Sequence, residues 1–517
     1  MDRELNRILF ALLRSAIFGG ELDGRARASL VGESSLAGAG ESRGAAFAKT
    51  VGELARLASK HDVAHLLAFG LKKNRLLGGV ESGVNADSGR SGKRAADELS
   101  GAECSGKRAA DKSSGAVCVE KQAADKSSGA ECSEKQAADK SSGAECSEKQ
   151  IVDASSGAEC AEKQAADEPS GAESVEKQAA DVSDGAAAER LLSISHGAEK
   201  SILTAIYRYQ RLNYEYERTL RVLAEEKIAF MPLKGSVMRR YYPEAWMRTS
   251  CDADILVHKE DLDRAVAALE KRLSYVAAER GTHDISLDTP NGSHIELHFD
   301  LIEEGRANEA IEILSKVWEN ATPSPTCAYF YEMSDAFFYL YHVAHMAKHF
   351  ETGGCGIRPF IDLMILDRLP SADREGRDKL LSEAGLLKFA EAARRLSELW
   401  LGEGDADELT VSLEEFILSG GVYGTTQNRV AIQQKKRGGR FGYLISRIFV
   451  PTSKLKRYYP VLERHPWLMP FMQVRRWFML LRPDVRKMAR AELQTNTSLD
   501  GDVAKNMKAF LADIGLE

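Results

Sequence analysis

Three acidic side chains have the types and spacing to bind divalent cations. Asp252 and Asp254 lie two residues apart in the apolar run DADILV (252–257), and Glu296 lies in HIELHFDL (294–301). Alternate side chains of a strand share a face about 7 Å apart, so the two aspartates would point the same way. Two buried carboxylates at that separation repel each other unless a cation neutralises them. Mg²⁺ prefers carboxylate and phosphate oxygens and is therefore the ion we expect.

The second run supplies a third carboxylate by the same alternation. One face of HIELHFD would carry His294, Glu296, His298 and Asp300. A neighbouring strand in register would bring Glu296 to the aspartate pair. Three carboxylates can hold two ions about 3.5–4 Å apart, a geometry suited to in-line displacement at phosphorus. The sequence thus predicts two Mg²⁺ ions, with Mn²⁺ as the alternative, at a catalytic, metal-binding set of Asp252, Asp254 and Glu296.

A glycine and a serine precede the aspartates at a predicted strand-to-helix turn. The apolar run IAFMPL (228–233) ends at Lys234-Gly235-Ser236. Glycine lets the backbone approach a ligand closely, and free N–H groups at a helix N-terminus bind phosphate oxygens. Lys234 and Arg248 could add positive charge to a triphosphate. The predicted nucleotide-binding residues are Lys234, Gly235, Ser236 and Arg248.

Three histidines recur at helical spacing in YHVAHMAKHF (341–350). His342, His345 and His349 would share one helix face, and three neutral imidazoles could bind zinc. No acidic or cysteine side chain lies beside them at helical spacing, which favours a core-lining face with one or two histidines reaching the nucleotide cleft. We predict that His298, His345 and His349 line that cleft.

Strand-like and helix-like patterns follow one another along the rest of the chain. Strands are predicted at 228–233, 252–257, 274–279, 283–289 and 294–301, with Asn291-Gly292 as a hairpin turn. Residues 301–430 are mostly helical in pattern. Within them Arg358 and Asp362, one helical turn apart, predict an ion pair.

Seven 14-residue units occupy residues 92–189, as in EKQAADKSSGAECS (120–133). A 14-residue period equals two heptads, but the units hold mostly Ala with a Ser-Ser-Gly break, and cannot bury enough surface to offset ordering entropy. We predict a disordered spacer, with a binding array as the alternative. Helical patterns before and after it indicate that the spacer interrupts a domain.

The predicted organisation has five parts. They are an N-terminal helical segment (1–91), the repeats (92–189), a core with the acidic residues (190–300), a helical domain (301–433) and a basic, aromatic-rich helical region (434–517).

Composition excludes few classes of protein. The 517-residue chain has a formal charge of −7, which gives no whole-chain reason to expect nucleic-acid binding. No stretch of 18 uncharged apolar residues offers a transmembrane segment, and charges interrupt any N-terminal signal core. Five of the eight cysteines recur in the repeats and no CxxC pair occurs. We therefore expect reduced thiols in a cytoplasmic protein, with metal or redox use as the alternative. The oligomeric state is not indicated.

A basic tail departs from this average. Residues 435–490 hold fifteen Lys and Arg against Glu463 and Asp484, interleaved with aromatic residues. This region could contact RNA or another polyanionic acceptor, or an anionic membrane surface. We favour a third interpretation, the solvated face of packed helices whose core would contain Trp467, Phe471, Trp477 and Phe478.

The ordered set of Gly-Ser, Asp-x-Asp and the later glutamate resembles the signature of the DNA polymerase beta-like nucleotidyltransferase superfamily. More narrowly, LKGSVMRRYYPEAWMRTSCDADILV (233–257) and IELHFDL (295–301) resemble an uncharacterised bacterial nucleotidyltransferase family. Segments 341–350, 357–366 and 448–471 look like that family's helical and C-terminal parts. Fifteen residues separate Ser236 from Asp252, somewhat more than is usual in the superfamily.

The resemblance implies a small mixed sheet flanked by helices, and hence an α+β fold with a nucleotidyltransferase core in a largely helical protein. It also implies Mg²⁺ and a nucleoside triphosphate as ligands. Transfer of a nucleoside monophosphate to a hydroxyl, with release of pyrophosphate, is the expected reaction. The acceptor could be a sugar, a small metabolite, a protein or RNA. The rival classes are a nucleotide-binding module without turnover and an interaction or scaffold protein.

Overall fold

The computed structural model describes residues 3–31, 43–77, 184–281, 283–301, 309–422, 424–452, 455–456, 459, 461–478, 482–498 and 501–516. Nearly all of the repeat segment, 92–183, lies outside these residues, and so does the prediction of a disordered spacer.

Helices make up most of the described chain. In chain order they are α1 (Arg3–Phe18), α2 (Gly24–Val31), α3 (Arg43–Lys60), α4 (Ala64–Lys73), α5 (Asp184–Glu225), α6 (Lys234–Met238), α7 (Leu262–Leu273), α8 (Glu309–Leu314), α9 (Asp335–Thr352), α10 (Arg358–Asp367), α11 (Arg374–Glu383), α12 (Leu387–Leu401), α13 (Glu408–Ser419), α14 (Thr426–Lys436), α15 (Arg440–Ile448), α16 (Val461–Arg464), α17 (Met469–Phe478), α18 (Pro483–Ser498) and α19 (Gly501–Asp513).

A mixed sheet of seven strands is embedded among these helices. Its strands are β1 (Phe230–Pro232), β2 (Asp252–Val257), β3 (Val276–Arg280), β4 (Asp284–Asp288), β5 (His294–His298), β6 (Ala321–Ser324) and β7 (Cys327–Met333). Their spatial order is β3-β4-β5-β2-β1-β7-β6. The expected α+β fold, a mixed sheet in a largely helical protein, is confirmed.

Strand β5 pairs with β2 in parallel, and the register places Glu296 opposite Asp254. The chain makes this crossover through α7 and the antiparallel β3–β4 pair, and then turns at Asn291-Gly292, where Gly292 has a φ of +76°. The sequence predicts a strand next to 252–257 in a register that brings Glu296 to the aspartates. Strand β5 is that strand, in that register.

The hairpin β6–β7 corrects the mostly helical assignment of residues 301–430. Strand β7 pairs in parallel with β1, and β6 pairs antiparallel with β7 at the sheet edge. Strand β6 contains Pro323, which cannot donate to a ladder and is tolerated in an edge strand.

The two faces of the sheet meet different cores. Ile255 and Leu297 point into a core shared with α5 and α7. Met231 and Leu256 point the other way, into a larger core formed by α1, α3, α4, α9, α10 and α12. Because strand side chains alternate, the acidic residues share the face of Leu256 and look toward the helical region.

Helices on both sides of the repeat segment belong to the larger core. Leu9 and Leu54 of the N-terminal helices are fully buried with Phe360 and Leu396. Helix α5 also packs against α3 and α4. The N-terminal helices thus cover the same helical region that faces the acidic residues.

The C-terminal helices contradict the favoured interpretation of the basic tail. Trp467, Phe471 and Phe478 are exposed rather than in a core, and Trp477 is only half-buried. Among the helices that the structure describes, none has the length and apolar character needed to cross a membrane.

Candidate active site on the carboxylate face of the sheet

The centre of the site is formed by two neighbouring parallel strands. Asp254 of β2 is buried, Glu296 of β5 is half-buried, and His298 lies two residues further along β5. One ligand atom from each of these three residues lies within 4.8 Å of the other two. Two carboxylates and an imidazole at this spacing form a donor set that can bind a divalent cation.

Asp252, the first residue of β2, belongs to the same charge cluster. Burial, together with the carboxylates of Asp254 and Glu296, raises its pKa to about 6. The raised pKa of Asp252 thus reflects the crowding of three carboxylates that the sequence predicts. The compact three-ligand group contains His298 rather than Asp252. The sequence predicts His298 only as a residue that lines the cleft, although the strand alternation places it on the same face as Glu296.

Asp254 is held between two basic side chains. Its Oδ1 accepts a hydrogen bond from Lys234 Nζ at 2.8 Å, and His298 Nε2 lies 2.9 Å from the same oxygen. Burial opposes ionisation of Asp254, but Lys234 and His298 outweigh it and hold the pKa of Asp254 well below its ordinary value. In this structure the carboxylate is therefore ionised and neutralised by groups of the chain itself.

The two cations are stabilised in return. Burial disfavours the charged form of His298, but its hydrogen bonds to Asp254 and Glu296 raise its pKa to about 9. Burial likewise opposes the charge of Lys234, and Asp254 is the main group that raises the lysine pKa above its usual value. Both groups carry a positive charge at neutral pH. A divalent cation bound by Asp254 would take over their role.

The turn after β1 places Lys234 by an unusual backbone conformation. Lys234 has a φ of +43°, in the left-handed region that non-glycine residues seldom adopt. Gly235 does not have a positive φ; it lies where a Cβ would come within 3.6 Å of Ser250 and Arg248. Strain of this kind persists where the surrounding structure fixes it, often at functional sites. Here the fixed turn directs the ammonium group to Asp254.

Two polar atoms of this region make no hydrogen bond within the described part of the chain. They are Ser236 Oγ and His298 Nδ1, both shielded from solvent. A buried polar group without a partner costs free energy unless a ligand or water satisfies it. The carboxylates and these two atoms are consistent with bound Mg²⁺ and a phosphorylated ligand.

Arg248 lies beside the Gly235 turn but is paired with an aspartate of the chain itself, so its contact with a triphosphate stays a prediction. Its Nε and Nη2 donate to both carboxylate oxygens of Asp362 on α10, and its Nη1 donates to the carbonyl of Thr249. Tyr242 Oη also donates to Asp362, at 2.7 Å. The guanidinium is buried in this network, so the structure gives Arg248 a role in joining β2 to the helical region.

The predicted Arg358–Asp362 ion pair is wrong, because Asp362 is occupied by Arg248. Arg358 Nη1 instead lies 2.8 Å from Asp62, in the turn between α3 and α4, and donates to the carbonyl of Thr249 at 3.0 Å. Asp62 also accepts a hydrogen bond from the Thr249 hydroxyl. The N-terminal helices, α10 and the segment before β2 are thereby tied together.

Helix α9 packs near the site and carries three histidines. His345 and His349 approach each other with their Nε2 atoms 3.0 Å apart. Burial, then the positive charges of His349 and Lys234, lower the pKa of His345 well below its usual value. His342 contacts the carbonyl of Pro359 instead. Within the described residues no group of three potential metal ligands includes these histidines.

Tyr341, one turn before His345, is a residue that sequence reasoning missed. It is buried, and burial together with Asp254, Glu296 and Asp252 raises its pKa, while Lys234 opposes the shift. Its hydroxyl therefore lies within the electrostatic reach of the site. The helical spacing of the three histidines also includes this position, which could have drawn attention to it.

Residues 188–402 match the model of a protein family described as an uncharacterised nucleotidyltransferase. The matched segment contains β1 to β7, the acidic residues, Lys234 and the histidines of α9, so the resemblance inferred from the motifs is confirmed over this segment. The match ends before residues 448–471, whose resemblance stays a prediction. No curated protein and no solved structure matches the chain. These findings support a general nucleotidyltransferase role for residues 188–402.

Proposed function

We propose that this chain is a Mg²⁺-dependent nucleotidyltransferase that moves a nucleoside monophosphate from a nucleoside triphosphate to a hydroxyl acceptor, with release of pyrophosphate. One observation carries the proposal: the parallel register of β2 and β5, which sets Glu296 opposite Asp254 beside Asp252. Carboxylates crowd together on the sheet face toward α9, within the segment that matches the nucleotidyltransferase family.

Asp252, Asp254 and Glu296 would hold the ions, and His298 would be a further ligand once the arriving cation displaces its proton to solvent. When bound, Mg²⁺ or Mn²⁺ lowers the pKa of an acceptor hydroxyl and neutralises negative charge on the reacting phosphate and on the pyrophosphate that leaves. The all-carboxylate predicted set suits two ions, whereas the compact group of Asp254, Glu296 and His298 suits one. We propose two ions, with Asp252 completing the second position.

Lys234 would change partner during binding. In this structure its ammonium neutralises Asp254. A cation at Asp254 would repel the lysine, which could then contact the triphosphate that arrives with the metal. The turn at Lys234-Gly235-Ser236 would bring backbone N–H groups and the unpartnered Ser236 hydroxyl to the same phosphate oxygens. Lys234 would thus offset the charge of Asp254 before substrate binds and contact the substrate afterwards.

The experiment is a measurement of pyrophosphate release from each of the four ribonucleoside triphosphates with Mg²⁺ and with Mn²⁺. Cell extract incubated with the protein and the isotopically labelled triphosphate would provide the acceptor, and mass spectrometry would identify a labelled sugar, metabolite, protein or RNA. Asp254→Asn should abolish the label. Asp288→Asn, an exposed aspartate on β4, is the matched control and should retain it. Unlabelled products with every nucleotide would reject the proposal.

A second candidate function, nucleotide binding without turnover, is favoured by the two cations on Asp254. Lys234 and His298 already neutralise this carboxylate without a metal. If they stay in place when nucleotide binds, no transfer can follow. Calorimetric titration would then give binding of the nucleotide that Mg²⁺ does not strengthen, and no pyrophosphate would form.

A further inference from the structure

Two C-terminal helices expose long apolar stripes. On α15 the stripe consists of Phe441, Ile445 and Ile448, continued by Phe449, at spacings of four, three and one residues. Phe441 is 75% exposed and Phe449 53%. Such spacing puts side chains on one face of a helix. This face is not covered by any part of the chain that the structure describes.

The second stripe follows the same rule on α17 and the turn before it. Trp467, Phe471, Val474 and Phe478 recur at intervals of four, three and four residues, and are 69%, 65%, 44% and 65% exposed. The opposite side of α17 is packed: Met469 and Met472 contact a small core of Val450, Leu455 and Leu462. The helix thus has a filled inner face and an outer face of large apolar side chains.

The stripes adjoin each other at the ends of the two helices. The ring of Phe449 lies 5.7 Å from that of Trp477, and the Trp477 indole donates to the carbonyl of Ile448 at 2.9 Å. Gln473 and Arg476 also donate to backbone carbonyls at the end of α15. Phe449 and Trp477 therefore link the two helices that carry the stripes, and we name the two stripes together the C-terminal apolar surface.

The region that carries this surface is rich in positive charge. Residues 435–490 contain fifteen Lys and Arg against two acids, although the chain as a whole has a charge of −7. Arg464, Arg475, Arg482, Arg486, Lys487 and Arg490 are all exposed. A second copy of this chain would bring like charges together at such a surface. An anionic partner would be attracted to it.

The geometry points to an anionic lipid bilayer as the partner of the C-terminal apolar surface. A basic helix with Trp, Phe and aliphatic residues on one face lies in the membrane interface, where its apolar side enters the acyl boundary and its cations meet lipid phosphates. RNA would also match the charge, and its bases could stack on the aromatic rings. RNA has no hydrocarbon region in which Ile445, Ile448 and Val474 could be buried. These three side chains are exposed alongside the aromatic rings, and their transfer into the acyl chains of a bilayer is favourable.

The test is co-sedimentation of the full-length chain with vesicles of phosphatidylcholine alone and of phosphatidylcholine mixed with phosphatidylglycerol. We expect binding to the anionic vesicles to be at least roughly tenfold tighter, and to weaken as salt is added. The double variant Phe441→Ser/Phe471→Ser should lose roughly tenfold or more of this affinity. The matched control is Leu203→Ser/Tyr207→Ser, which removes two exposed apolar side chains from α5 and should bind as the unaltered chain does.

Charge reversal supplies a second, independent set of variants. Arg486→Glu/Arg490→Glu should weaken binding to anionic vesicles, while Lys271→Glu on α7, also exposed, should not. Failure of the unaltered chain to sediment with anionic vesicles would overturn the proposal. It would equally be overturned if sedimentation velocity gave a dimer that Phe441→Ser/Phe471→Ser dissociates, in place of vesicle binding. Tight binding to homopolymeric RNA that Ile445→Ser leaves unchanged, again without vesicle binding, would assign the surface to RNA.

Discussion

Asp254 and Asp362 are both almost fully buried aspartates that contact a basic side chain, yet their surroundings differ in one respect. Asp362 meets Arg248 through a two-pronged set of hydrogen bonds and accepts another from Tyr242, so one charge is matched by one charge. Asp254 has two further carboxylates nearby, and its partners Lys234 and His298 both contact a single oxygen, Oδ1.

This difference distinguishes a scaffold from a site. Arg248 and Asp362 use their hydrogen-bonding capacity on each other and on the backbone, and a ligand could enter only by breaking a buried ion pair. Around Asp254 the negative charges outnumber their fixed partners, since Asp252 and Glu296 add to it. A lysine is a compact cation on a flexible stem and can move away. An excess of carboxylates with movable counter-charges is an arrangement that a divalent ion can complete.

Asp254→Asn gives the largest expected effect. We expect pyrophosphate release to fall by roughly a thousandfold or more, because the amide keeps the shape of the side chain but removes the charge that binds metal. The free energy of unfolding should change by only about 1 kcal/mol, because Asp252 and Glu296 remain to balance the charges of Lys234 and His298, and the amide oxygen can still accept a hydrogen bond. Steady-state kinetics and urea unfolding would measure both. Activity within tenfold of the unaltered protein would disprove the catalytic role of Asp254.

Asp362→Asn should have the opposite profile. Removal of one partner leaves the buried Arg248 charge without compensation, and we expect a loss of about 3–5 kcal/mol in the free energy of unfolding. The pair replacement Arg248→Met/Asp362→Leu should recover much of that stability. Where the variants stay folded, the KM for the triphosphate should be unchanged. A large rise in KM for the pair replacement at full stability would support the prediction that Arg248 binds nucleotide.

The pH dependence of stability should also separate the two clusters. His298 has a folded-state pKa of about 9 against an ordinary value near 6.5, so the stability it contributes is complete below pH 6.5 and is lost as pH rises toward 9. The free energy of unfolding of the metal-free protein should therefore fall by up to about 1.4 kcal/mol per pH unit between pH 7 and pH 9, and the protein should melt at a lower temperature at pH 9. His298→Gln should flatten this slope. His294→Gln, a more exposed histidine on the same strand, should leave it unchanged.

Much of the site could be predicted from the sequence because its residues lie in two short strands whose patterns are visible locally. Strand β2 has the predicted bounds, and strict alternation in β2 and β5 was enough to assign side chains to faces. The register of the two strands followed from requiring that those faces serve one ligand. His298 lies on the predicted face, but its contact with Asp254 depends on side-chain positions across two paired strands, which the sequence does not give.

Other features could not be predicted because they pair residues distant in sequence. Arg358 and Asp362 had the spacing of a helical ion pair, but Arg248, 114 residues before Asp362, reaches the carboxylate instead. The hairpin β6–β7 was missed because β6 lacks an apolar run, and because the apolar and aromatic run at the start of β7 does not alternate as a half-buried strand should. The aromatic residues of the tail had the spacing of a core-facing stripe. Spacing alone does not reveal whether another element covers that stripe.

Lys234→Met gives the smallest expected effect and tests whether the lysine competes with the metal ion for Asp254. Lys234 competes with a metal ion for Oδ1 of Asp254, so its removal should strengthen Mn²⁺ binding in the absence of nucleotide by several-fold, and pyrophosphate release should fall because the triphosphate loses a cation. Electron paramagnetic resonance of Mn²⁺ would give the affinity. Lys259→Met, beyond the end of β2, is the control and should alter neither quantity. If Mn²⁺ affinity instead falls with Lys234→Met, the lysine supports the metal-binding geometry and does not compete with the ion.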